Sequence, residues 1–205
     1  MTRARHWRTM GSCRRLAQLW KASRGATIVE FAIVAPVLLL LLFGIFDVGY
    51  MVYAEAVLHG AAEQAARSSS LETGDTAKAD AYVKSMIQGL LPGAAVTTSR
   101  KSYYDFNDIA RPEVWNDKNN NNTCDNGEAY TDENGNGRWD ADIGNSGNGG
   151  ADDVVVYTVT VTYTPLFPNP FVGGTGKSRT LTASTVRKNQ PYATQKEYGA
   201  SAGTC

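Results

Sequence analysis

The sequence predicts an α+β fold: one long N-terminal helix, transmembrane and then amphipathic, packed on a small antiparallel sheet. Three observations predict it. Residues Phe31 to Phe46 are an uncharged apolar run, and with Ala26 to Glu30 the stretch reaches 21 residues. Val154 to Thr164 alternates apolar and hydroxyl side chains with the period of a half-buried strand. Between the helical and strand patterns, residues 105–152 form an insert rich in Asp, Asn and Gly, with little to bury.

At about 1.5 Å per residue, the apolar segment 26–46 spans roughly the 30 Å of a hydrocarbon core. Pro36 lies inside it, which a transmembrane helix tolerates. The helical pattern continues through 47–70, with Val48, Met51, Val52, Val57, Leu58, Ala61 and Ala65 near one face and Glu55, Glu63 and Arg67 on others. Ser68 to Ser70 and Gly74 end it. Residues 71–188 follow as the globular part. Asp75 or Thr76 caps a second helix that buries Tyr82, Val83, Met86, Ile87 and Leu90, and Leu91-Pro92-Gly93 stops it. Ala94 to Ser99 reads as a short strand and Ser178 to Val186 as a further one. Residues 189–205 read as a loose tail.

The 205 residues carry 20 basic and 20 acidic side chains. The distribution is uneven. Residues 1–24 hold Arg3, Arg5, Arg8, Arg14, Arg15, Lys21 and Arg24 and no acid, leaving 13 basic against 20 acidic residues beyond them. An acidic bulk argues against nucleic acid as a partner. The basic leader 1–25 marks the cytoplasmic side, so the remainder is exported. Of three cysteines, Cys13 lies in the leader; Cys124 and Cys205 reach an oxidising compartment, where they either pair or stay two thiols.

Glu30 is the informative residue of the apolar segment. A lone carboxylate there costs about 2.5–3.5 kcal/mol on insertion scales. A secretory signal peptide, with a cleavage site near Ala54-Glu55-Ala56, would need ten residues including Asp47 between the apolar run and the cut. A plain anchor leaves Glu30 unexplained. A new amino terminus made by cutting after Gly25 supplies the missing positive charge.

The residues Ser23-Arg24-Gly25-Ala26-Thr27-Ile28-Val29-Glu30-Phe31-Ala32, followed by Ala35-Pro36-Val37-Leu38-Leu39-Leu40, resemble the TadE-like pseudopilins of the tight adherence (Flp-type) pilus system. Leu181 to Pro191 resembles the end of such proteins more weakly. The resemblance implies a minor pilin or pseudopilin, cut by a prepilin peptidase between Gly25 and Ala26, with Glu30 and Phe31 becoming the fifth and sixth mature residues. Its implied partners are other pilin-like subunits, the assembly platform and the peptidase. Its implied place is the bacterial inner membrane, N-terminus inside and domain periplasmic, or the pilus and cell surface.

Two segments of the insert have calcium-loop spacing, with oxygen ligands at positions 1, 3, 5, 7 and 9. In the first, Asp117, Asn119, Asn121 and Asp125 offer side chains, Thr123 its carbonyl, and Glu128 stands at position 12. In the second, Asp132, Asn134, Asn136 and Asp140 fit and Arg138 offers its carbonyl, but position 12 is Ile143. Asp142 stands one residue early, and Glu128 is a substitute closing acid. Gly137 makes the sharp turn in the second loop and Asn122 in the first. Calcium is thus the expected ion, in a structural role and with the modest affinity of extracellular modules, about 10⁻⁴–10⁻³ M. The other reading is a flexible polar loop, since these residues also form turns. Trp115 and Trp139 flank the loops as packing residues. A membrane-anchored calcium-dependent adhesin is the alternative function.

No enzyme motif is visible. His6 lies in the leader and His59 on the long helix, and no nucleophile constellation, phosphate loop or zinc spacing occurs.

Overall fold

A computed structural model of the chain describes residues 23–72, 74–165, 178–195 and 199–205. The leader, including His6 and Cys13, lies outside the described residues up to position 22. The chain divides into two units, one ending at Val48 and the other spanning Gly49–Cys205.

Helix α1 runs Ser23–Ser69 with Pro36 inside it, and α2 runs Thr76–Leu90. The strands are β1 Ala95–Tyr103, β2 Ala129–Asp132, β3 Asn145–Ser146, β4 Val154–Tyr163, β5 Arg179–Lys188 and β6 Ser201–Thr204. A short 3₁₀ turn, Phe106–Asp108, follows β1. Four strands form an antiparallel sheet in the order β3-β1-β4-β5, and β2 pairs with β6 in a second, two-stranded one. The α+β architecture with a long apolar N-terminal helix is therefore present.

In the second unit the C-terminal part of α1 lies on the four-stranded sheet. Ala54, Leu58, Ala61, Ala62, Ala65 and Ala66 are buried against Tyr157, Val159, Val161 and Ala183. Small side chains line the helix because a close approach leaves space for little more than a methyl group. The expected stripe was displaced: Val52 is exposed, Met51 half-buried, and the seam is shifted onto the alanines. Helix α2 covers the same core with Ala79, Val83 and Ile87, whereas Met86, expected inside, is exposed. Asp75 is its N-cap, accepting the Lys78 amide at 3.0 Å.

One polar cluster fixes α2 to the sheet. The Arg100 guanidinium donates to both Asp80 oxygens at 2.8 and 2.9 Å and lies 4.2 Å above the Tyr157 ring, and the Tyr157 hydroxyl donates to Asp80 at 2.7 Å. The end of α1 is tied down separately. Asn148 donates to the Ser69 carbonyl at 2.8 Å and the Gln190 amide to the Ser70 carbonyl at 3.0 Å, so its last carbonyls are satisfied.

Three boundaries differ from the sequence reading. β1 extends to Tyr103, because its full length pairs with β4 from Ala95↔Thr162 to Tyr103↔Val154. β5 reaches Lys188 for the same reason. The tail is not loose: Ser201–Thr204 pairs with Ala129–Asp132, and Cys205 is bonded to Cys124 with Cα atoms 5.7 Å apart. Nothing in the local composition of 199–205 signals this strand; its partner is some 70 residues away.

Candidate functional site

Two regions carry the candidate functional residues. In the first unit, Gly25 and Ala26 stand in the opening turn of α1, and Glu30 and Phe31 follow on the same helix. Ala26 and Glu30 are four residues apart, which places them on one helical face. Glu30 and Phe31 are exposed, as is nearly the whole apolar run, with Ile28, Ile33 and Leu41 each more than half accessible. The helix stretch Thr27–Ser69 is long and apolar enough to cross a membrane, and none of its most apolar window is buried within the protein.

The second region is the insert, where the chain builds two similar loops. In the first, the Asp117 carboxylate accepts the amides of Asn121 and Asn122 at 3.1 and 2.9 Å. Asn119 Oδ1 accepts Asn121 N–H at 3.0 Å, and Asn121 Oδ1 accepts Thr123 N–H at 2.8 Å. Both asparagine side-chain amides donate to Asp125, at 2.9 and 3.0 Å. Glu128 closes the loop, accepting Lys118 N–H at 2.7 Å and Asp125 N–H at 3.3 Å.

The second loop repeats these bonds. Asp132 accepts the amides of Gly135, Asn136 and Gly137 at 2.7, 3.2 and 2.8 Å. Asn134 Oδ1 accepts Asn136 N–H at 3.1 Å, and Asn136 Oδ1 accepts Arg138 N–H at 2.9 Å. The Asn134 and Asn136 amides donate to Asp140. The sharp turn is left-handed in both loops, with φ +62° at Asn122 and +79° at Gly137; asparagine is among the few residues other than glycine that adopt it readily.

A minimal antiparallel pairing joins the loops. Asn116 N–H donates to the Ala129 carbonyl and Thr131 N–H to the Val114 carbonyl, bridging Trp115 to Tyr130. Trp115 and Trp139 meet edge to face, ring centroids 5.3 Å apart. β6 lies along the other side of β2, where Gly203 passes so close to the Tyr130 ring that no side chain would fit. The Cys124–Cys205 bridge fastens that strand to the first loop.

The oxygen donors suit a hard divalent cation in kind. Each loop aligns carboxylates and amide carbonyls, and each amide oxygen retains a second lone pair. Among the described residues no three Asp, Glu, His or Cys side chains converge so as to hold a metal on their own, so asparagine and main-chain oxygens must complete any such set.

Sequence reasoning misassigned the closing acid of the second loop. Neither Asp142 nor Glu128 takes that place: Asp142 binds Lys101 and Tyr103 at 2.6 and 3.2 Å, and Glu128 is committed to the first loop. Ile143, at position 12, is buried. Glu113, which precedes both loops, accepts the amides of Glu133 and Asp140 at 2.8 and 3.0 Å. The missed signal was available: Glu113-x-Trp115-x-Asp117 and Glu128-x-Tyr130-x-Asp132 are copies fifteen residues apart. His59 is exposed on α1.

One long apolar helix continuing into a small α+β domain defines a single-pass, membrane-anchored type of protein. Within it, residues 25–67 match the family model described as TadE-like protein. This makes the chain a relative of the tight adherence pilus proteins, a structural rather than enzymatic class. No curated protein and no solved structure matches the chain.

Proposed function

We propose that the chain is a minor pilin or pseudopilin of a tight adherence pilus, inserted N-in in the inner membrane, cut between Gly25 and Ala26 by a prepilin peptidase, and assembled through α1. The observation that carries this reading is the coincidence of the TadE-like match, which starts at Gly25, with a single apolar helix bearing one acid, Glu30. Cleavage frees the Ala26 amine one helical turn before Glu30. An ion pair between them, in one chain or between neighbours, lowers the cost of the buried carboxylate and sets helix register. The partners are other pilin-like subunits and the assembly platform. The work is structural, not catalytic.

Mass spectrometry of the protein from its native membrane should find Ala26 as the first residue. Glu30→Ala should insert normally yet be missing from sheared pili or their assembly complex. A mature chain that keeps the arginine-rich leader, or normal incorporation of the variant, refutes the reading.

In the exported domain, calcium is the ion the insert is built to take, with a structural role. Asp117, Asn119, Asn121, Asp125 and Glu128, with the Thr123 carbonyl, would hold one ion; Asp132, Asn134, Asn136 and Asp140, with the Arg138 carbonyl, would hold the other. The repeated oxygen pattern also favours a second reading, a membrane-anchored calcium-dependent adhesin. Recovery of the chain with the major pilin separates the two.

A further inference from the structure

Glu113 and Glu128 are 0% and 1% exposed, and among the described residues no cationic side chain pairs with either. A fully buried carboxylate without a counter-charge is costly, and buried charges in proteins are paired or coordinate metals. The N–H hydrogen bonds that each accepts orient the carboxylate and ease its desolvation, but they bring no net positive charge.

The two glutamates hold equivalent places. Glu128 takes the amides of loop positions 2 and 9, Lys118 and Asp125, and returns its own N–H to the Asp125 carbonyl at 2.9 Å. Glu113 takes the amides of positions 2 and 9 of the other loop, Glu133 and Asp140, and returns its N–H to the Asp140 carbonyl at 3.0 Å. The glutamate at position 12 of the first loop thus has its counterpart nineteen residues upstream of the second loop's first aspartate. The short pairing of 114–116 with 129–131 carries it there. Each glutamate opens one of these two paired segments, and each closes the loop that ends beside it. A purely local reading of the second loop finds no closing acid because the acid arrives across the pairing.

We propose that Glu113 is the closing ligand of the second loop, so that the insert binds two calcium ions in sites related by its fifteen-residue repeat. This rests on the calcium reading of the loops given above. With Glu113 counted, each site has three carboxylates: Asp117, Asp125 and Glu128 in one, Asp132, Asp140 and Glu113 in the other. Charge and donor type then match between them. The buried negative charge of each glutamate meets its cation only on ion binding.

Calcium titration calorimetry on the full chain in detergent micelles tests it, with Glu113→Gln, Glu128→Gln, Asp132→Asn and the Glu113→Gln/Asp132→Asn double variant. The wild type should bind two ions. Glu113→Gln should lose one, weakening it beyond the roughly 10–100-fold that removal of an outer-shell partner costs, while the ion lost in Glu128→Gln stays. The double variant should still bind one ion, as each of its parents does, because both changes strike one site. Two ions bound by Glu113→Gln with wild-type affinity overturn the proposal and leave the calcium reading standing. Loss of both ions in Glu113→Gln also overturns it, since Glu113 would then support the insert as a whole. A wild type that binds no calcium defeats the calcium reading and the proposal together.

Discussion

Replacing Cys124 and Cys205 by serine measures how much of the C-terminal strand is held by covalent closure. The bridge joins residues 81 positions apart. In the chain-entropy account, opening a closure of that length returns about 15 cal/mol/K to the unfolded chain, or about 4.5 kcal/mol at 25 °C. For a domain the size of Gly49–Cys205, each kcal/mol moves Tm by about 2–4 °C, so the upper limit is a fall of about 9–18 °C. The observed fall should be smaller. β6 has four residues on β2, and without the bridge so short a strand frays before the domain melts, which moves part of the loss into local opening. Circular dichroism melts of the full chain in detergent, oxidised and with reductant, would show it. The variant and the reduced wild type should melt together, below the oxidised protein, and the segment 199–205 should become open to carboxypeptidase. A double variant that melts with the oxidised wild type and resists the exopeptidase would refute the reasoning.

Two further predictions concern the core. Leu58→Ala empties a fully buried site between α1 and the sheet and should cost about 2–5 kcal/mol, while His59→Ala on the exposed face should stay within about 0.5 kcal/mol; urea melts that shift equally would contradict the helix orientation. Asp80 bears on acid stability. Burial works to raise its pKa, but hydrogen bonds from Arg100 and Tyr157 prevail and hold it below the ordinary value. Because the folded value is the lower one, its contribution is present above the unfolded value, about 3.9, and is lost as pH falls through the folded pKa. Asp80→Asn should therefore flatten the acid limb of stability against pH; parallel profiles for variant and wild type would count against it.

Much of the helical and sheet content was legible because it is local. Val154 to Tyr163 alternates whatever it pairs with, and Asp75 caps α2 through an amide three residues on. The face of a helix was less legible. Val52 and Met86 fit a 3.6 period as well as their neighbours do, yet both are exposed. Hydrophobicity ranks the larger side chain first, but the closeness of α1 to the sheet selects alanine. For the candidate sites, the asparagine and aspartate spacing of each loop could be read residue by residue, because consecutive side chains wrap back on their own main chain.

The amino-acid order by itself determined the apolar helix, its single acid, the strands and the two polar loops, since each depends on neighbours within a few positions. Only the tertiary structure decided that Glu113 closes a loop beginning at Asp132, that Ser201–Thr204 is a strand, and that Cys205 meets Cys124. Those contacts join residues about 20 to 80 positions apart. Their chain-closure entropy is offset by the pairing of 114–116 with 129–131 and of β2 with β6, which no local pattern encodes.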